Sequence, residues 1–222
     1  MIVSIHQPNF FPWLGYFDKI NKSDVFIFLT MSKRSASDNY FTRTSISIND
    51  KMKYLSIPFG KQEPIITDLE MPIDKKWISK HLNLIKAAYC ESKYFNEIYP
   101  DIEKLYMNNQ TKYYYEFSIS IIRFFLEKLC IDTATYIDVD FNKDFGTSNI
   151  RNINICKEVQ AKTYLSGVGA KAYNDGDMFK ENGLNLMYQE FTSPYNLSIL
   201  DVVFNIGFEN TKQLFVKSSD CE

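Results

Sequence analysis

The chain has 222 residues, 16% of them aromatic, with 25 Lys and Arg against 27 Asp and Glu and a net charge of -2. That length buries one sizeable core, and the balanced charge leaves no basic footprint for tracking a nucleic-acid backbone. The four cysteines, Cys90, Cys130, Cys156 and Cys221, stand far apart, and with only two histidines they lack zinc-ligand spacing; reduced thiols, a cytoplasmic setting and no metal site are expected.

In chain order, "MIVSI" predicts a short buried strand, ended by the Pro-containing "HQPN". It is too brief for a signal-peptide core, and no apolar stretch reaches the length of a membrane span. A helix begins near Pro12 and carries Leu14, Phe17 and Ile20 inward, and "DVFIFLT" is a second buried strand. Strand, polar turn, helix, strand is a βαβ unit, which favours a parallel sheet. The polar stretch from Lys33 to Asp50 reads as loop or irregular hairpin, "KYLSIPF" as a strand, and "IITDLEM" as another between Pro64 and Pro72.

From Lys75 the apolar residues Ile78, Leu82, Ile85 and Tyr89 recur with helical spacing, and a longer helix runs near Thr111 to Leu129. "TATYIDVDF" is a strand, Asn149 to Gln160 a helix, and "KTYLSG" a strand running into Gly167 and Gly169. "GDMFKENG" is a short helix closed by Gly183, "LNLMYQEF" a strand, and "SILDVVFNIG" a final helix before the frayed "KSSDCE". The fold expected is α/β: a single domain over 1–222 with a mostly parallel sheet and a helical insertion or subdomain at about 75–129.

Three blocks, "IHQPNFFPWLGYFDKI", "YLSGVGAKAYND" and "LSILDVVFNIG", resemble the WbqC-like protein family, and "WISKHLNLIKAAY" and the arginine of "NYFTRTSISI" fit its middle section. The resemblance implies a setting in bacterial surface polysaccharide loci, O-antigen synthesis above all, with nucleotide-activated sugars in the cytoplasm; it names no reaction. The connection between "YQEF" and "SPYNLSILD" is shorter than the family pattern, which removes the ground for a pocket wall there. The element order is also similar to nucleotidylyltransferase-like folds, although Gly15-Tyr16 stands where that superfamily usually has Gly-His.

His6 falls where a strand ends and a helix is about to begin, the edge at which open α/β sheets take ligands, and it can serve as acid, base or phosphate donor. Gln7 and Asn9 offer amides for orientation or merely satisfy a Pro-rich turn; Trp13 reads as a packed lid. In "SGVGAKAY", Gly167 and Gly169 permit positive φ and close approach of backbone to a ligand. Ser166 and Lys171 could hold phosphate oxygens there, and Tyr173 could stack a base or sugar. The spacing is neither a Walker A loop nor G-x-G-x-x-G. His81 beside an apolar stripe is a catalyst or a satisfied core ring. Asp201 is a substrate-site carboxylate or the N3 member of a capping box with Ser198, Asn205 closes a turn with Gly207, and Arg43 suits phosphate or carboxylate.

A transferase that modifies a nucleotide-linked amino sugar by N-acylation, formylation or aminoacylation is the function these readings support. It would use an acyl, formyl or aminoacyl donor and His6 as base or phosphate contact, with Arg43 and Lys171 on the diphosphate. The alternatives are a non-catalytic protein that binds a sugar nucleotide or a glycosyltransferase, and an ATP-dependent ligase acting through an adenylate. A homo-oligomer stays open.

Overall fold

The computed structural model describes residues 1–33, 40–59, 64–195 and 197–215; the expected loop over 34–39 and the frayed tail lie outside them. The chain opens with β1 (Ile2–His6), α1 (Leu14–Asn21) and β2 (Val25–Phe28), the βαβ unit that its first residues predict. A hairpin follows, β3 (Arg43–Ile48) paired antiparallel with β4 (Lys51–Ser56). Helices α2 (Lys76–Tyr89), α3 (Phe95–Met107) and α4 (Tyr114–Lys128) come next, then β5 (Ala134–Ile137). The chain closes with α5 (Ser148–Glu158), β6 (Thr163–Ser166), α6 (Gly176–Glu181), β7 (Asn185–Tyr188) and α7 (Ile199–Gln213).

Five strands form one parallel sheet in the order β5-β2-β1-β6-β7. The chain winds outward from β1 through β2 to β5, then returns to lay β6 and β7 on the other side of β1. Both faces are covered, because strand residues alternate between two cores. Phe26 and Phe28 pack with α1, α2–α4, α7 and the hairpin, whereas Val3, Ile5, Val25 and Ile27 pack with Ile153, Cys156 and Phe179 of α5 and α6.

Three expectations need correction. "IITDLEM" forms a single turn of 3-10 helix at Ile66–Asp68, not a strand; only its ends pair, as isolated bridges of Ile65 with Lys33 and of Glu70 with Tyr113. The region between β4 and β5 holds three helices: α3 keeps Ile98, Ile102 and Tyr106 at helical spacing, but Pro100 inside it speaks against a helix in the sequence. The helix expected over "SILDVVFNIG" ends at Gly207, whose φ of 79° and ψ of 167° are not helical, but a further helical segment that the sequence did not announce runs on to Gln213. A side chain at Gly207 would meet the Tyr94 ring at 2.7 Å, so glycine is required there twice over.

Candidate functional site

The sheet is open at its centre. β1 pairs with β2 as far as His6, opposite Phe28, and β6 pairs with β7 as far as Ser166, opposite Tyr188. Between β1 and β6, however, pairing covers only Ile2 with Thr163 and Val3 with Tyr164. Beyond these residues the two strands part, at the point where the winding direction reverses. In doubly wound sheets the crevice outside the strand ends at such a switch is the ligand site. Here it is a cavity of about 500 Å³, lined from β1 by His6 and Gln7, from α1 by Tyr16 and Lys19, and from the β6 side by Ser166, Gly167 and Gly169.

The turn that carries His6 is fixed from several sides. The Ser118 hydroxyl donates to the Pro8 and Asn9 carbonyls, the Phe10 N–H to the Phe41 carbonyl, and Thr44 Oγ1 to the Phe11 carbonyl. Phe11 sits at φ 41°, a left-handed conformation that costs a bulky residue about 1–3 kcal/mol and survives only when its surroundings dictate it. Its fully buried ring, against Tyr106 and Phe125, supplies that hold. His6 Nδ1 lies 3.0 Å from the Gln7 carbonyl oxygen, which can only accept, so the proton is on Nδ1 and Nε2 keeps its lone pair. Tyr16 donates to the same carbonyl and its ring packs edge-on to the imidazole at 5.0 Å. Burial and the nearby Lys19 push His6 down to about 3, so the ring is neutral at physiological pH.

Lys19 is the residue that sequence reasoning overlooked. It is 3% exposed, lines the cavity, and makes no hydrogen bond or ion pair through its ammonium among the described residues. Its acidic neighbour Asp18 is occupied by Lys22 at 3.0 Å and by the Gln189 amide at 2.7 Å. Burial alone pushes Lys19 down to about 7. A buried lysine without a counter-ion is costly, and that cost falls either when the amine gives up its proton or when an anion enters the crevice. The sequence carries little signal for it: Lys19 lies off the Leu14, Phe17 and Ile20 stripe of α1, where a lysine usually snorkels to solvent.

On the facing side, Ser166 accepts from the Asn174 amide at 3.0 Å, and Asn149 holds the Tyr173 carbonyl at 3.0 Å. Tyr173 is exposed and lines the cavity mouth. Gly167 and Gly169 do not have the positive φ that the sequence suggests. A Cβ on either would meet nothing within 4 Å, so what their lack of side chain gives is open backbone along the cavity wall. Lys171 stands apart from the lining, its ammonium over the Tyr188 ring at 5.1 Å.

A second cavity of about 420 Å³ adjoins the first, and His6 and Trp13 border both. Asn9, Arg43 and Ser198 line it. Arg43 and Ser166 therefore line different cavities, and the Arg43 guanidinium lies over the Tyr54 ring at 4.5 Å. Trp13 is 42% exposed and its indole covers Gly15, where an added Cβ would fall 2.1 Å from the ring. The short connection after β7 does furnish wall, through Phe191 in the first cavity and Leu197 and Ser198 in the second.

His81 and Asp201 border neither cavity. His81 is 1% exposed, donates from Nε2 to the Ser56 carbonyl at 3.1 Å, and accepts at Nδ1 from the Tyr106 hydroxyl at 3.2 Å. Both nitrogens are satisfied in the neutral ring, and burial pushes it down to about 4. Replacing His81 by Phe strands the buried Tyr106 hydroxyl, while the carbonyl of the exposed Ser56 can turn to water; the change costs about 1–3 kcal/mol and is expected to lower the unfolding free energy in urea while leaving ligand affinity intact. The unfolded chain protonates this residue near 6.5 and the folded one only near 4, so stability falls as pH drops through that window; the variant's acid loss is smaller. Asp201 accepts from the Tyr89 hydroxyl at 3.4 Å, and no side-chain cap forms at Ser198, so the capping box is absent. Among the described residues no three His, Cys, Asp or Glu side chains group as metal ligands, and no helix is long and apolar enough to cross a membrane.

Comparison with known proteins bears on the whole of this arrangement, since the WbqC-like protein family matches residues 7–213. The chain belongs to that family. It is also 25% identical over 220 residues to "Uncharacterized protein Rv1507c" of Mycobacterium tuberculosis (strain ATCC 25618 / H37Rv), covering 93% of this chain and 94% of that protein. No solved structure matches the chain significantly. The family match begins at Gln7, one residue after His6, and runs through both cavity walls.

Proposed function

We propose that the protein is a cytoplasmic transferase that forms an amide on a nucleotide-linked amino sugar, by acyl, formyl or aminoacyl transfer, in the assembly of bacterial O-antigen. The observation that carries this reading is the unpartnered Lys19 ammonium facing the split between β1 and β6, beside a neutral His6. A diphosphate in the crevice would neutralise Lys19 and accept hydrogen bonds from the open backbone at Gly167 and Gly169. Tyr173 at the mouth offers a face on which a nucleobase can stack.

The chemistry asked of the site is modest. The sugar amine attacks the donor carbonyl, a proton leaves the amine as the C–N bond forms, and the donor's leaving group departs with the electron pair. His6 Nε2, with its lone pair free, accepts that proton. An adjacent diphosphate raises the basicity of the imidazole when ligand is bound, because negative charge favours the protonated ring. Mass spectrometry on purified protein, with nucleotide-linked amino sugars and a panel of acyl, formyl and aminoacyl donors, tests the reading. A mass gain on one sugar is expected; binding without a gain under any donor would leave a sugar-nucleotide-binding protein instead.

A further inference from the structure

Two residues that line the second cavity each carry a buried side-chain oxygen with no partner. Asn9 is 6% exposed and Ser198 is 1% exposed, yet neither Asn9 Oδ1 nor Ser198 Oγ makes a hydrogen bond. Leaving such a group unsatisfied is costly, and native structures keep very few. Among the described residues only three buried side-chain atoms are unsatisfied, and two of them belong to residues that line this one cavity.

Their chemistry limits what could satisfy them. The carboxamide oxygen needs a donor, and the serine hydroxyl takes either role. Around them stand Phe10, Pro12 and the half-exposed indole of Trp13, surfaces suited to the C–H face of a saturated ring. Several hydroxyls set about an apolar face describe a pyranose. The position agrees, because His6 and Trp13 border this cavity and the crevice beside it; a sugar here lies next to a phosphate held by Lys19.

We propose that the second cavity is the sugar subsite, with Asn9 and Ser198 binding ring hydroxyls and Trp13 lying against the ring. This rests on the crevice holding the nucleotide diphosphate, and the test separates the two. Calorimetry compares uridine, thymidine and guanosine diphosphates with their hexosamine-linked forms, in wild type and in Asn9→Leu/Ser198→Ala. For at least one pair the sugar is expected to add about tenfold or more in affinity, and the double variant to erase that gain while binding the bare diphosphate as wild type does. A sugar that adds nothing in every pair, or a gain that survives the double variant, overturns the subsite. If no diphosphate binds at all, the crevice reading fails, and the subsite is decided by free glucosamine. A saturable shift of the Asn9 side-chain amide signals, lost in Ser198→Ala, sustains it; no shift overturns it.

Discussion

Replacing Lys19 by Met is expected to weaken, without abolishing, the binding of nucleoside diphosphates while making the ligand-free protein more stable. Removing one partner of a buried, hydrogen-bonded charge pair costs about 2–5 kcal/mol, roughly 30-fold to several-thousand-fold in affinity. Stability moves the other way, because the ammonium is taken from water and given no counter-ion among the described residues. The pH dependence identifies the cause. The unfolded chain holds the Lys19 proton up to about 10.5 and the folded one only up to about 7. Below pH 7 both states are charged and the full burial cost is present; between 7 and 10.5 the unfolded state binds more protons, so wild-type stability rises with pH. The gain from Lys19→Met is therefore largest at pH 6 and shrinks towards pH 10, by about 2–4 °C in melting temperature for each kcal/mol. A variant that binds as well as wild type, or that is less stable at pH 6, would remove Lys19 from the site.

His6→Ala is expected to reduce turnover by about 10²–10⁴-fold, the usual contribution of a positioned proton acceptor, with nucleoside diphosphate affinity reduced far less. The shape of the pH profile separates its role from that of Lys19. His6 is neutral down to about 3 in the free protein, so kcat/KM should have no acidic limb near 6.5. The limb expected near 7 falls on the alkaline side, as Lys19 loses the charge that holds the phosphates, and it disappears in Lys19→Met. Equal losses of affinity and turnover in His6→Ala would assign the ring to phosphate contact instead.

Much of the scaffold is legible in the sequence because its signals are local. "MIVSI" and "DVFIFLT" are short, β-branched and bounded by turn residues, and Gly183 closes α6 with φ 72° as a helix-ending glycine does. The parallel arrangement follows from the helix between the two strands. The sheet order does not: that β6 returns to the far side of β1, and that pairing stops after Val3, depends on contacts more than a hundred residues apart. Candidate residues divide on the same line. His6, Gln7, Ser166, Gly167, Gly169 and Tyr173 come together because they end or follow two strands that become neighbours. Asn9 and Arg43 face the adjoining cavity, while His81 and Asp201 point into other packing. Lys19 stayed hidden because its meaning comes from what is missing around it, a counter-ion, and sequence does not display absences of that kind.

A phosphate-bearing ligand in the gap between β1 and β6 would be held through Lys19. Calorimetric titration of a nucleoside diphosphate at pH 8, repeated in two buffers of different ionisation heat, tests it most directly. At that pH Lys19 is mostly neutral in the free protein, since its proton leaves near 7, and an anion beside it should draw a proton back. Uptake of close to one proton on binding is expected in wild type, and none in the weaker binding of Lys19→Met. Binding of equal strength with no proton uptake, or no binding at all, would contradict it.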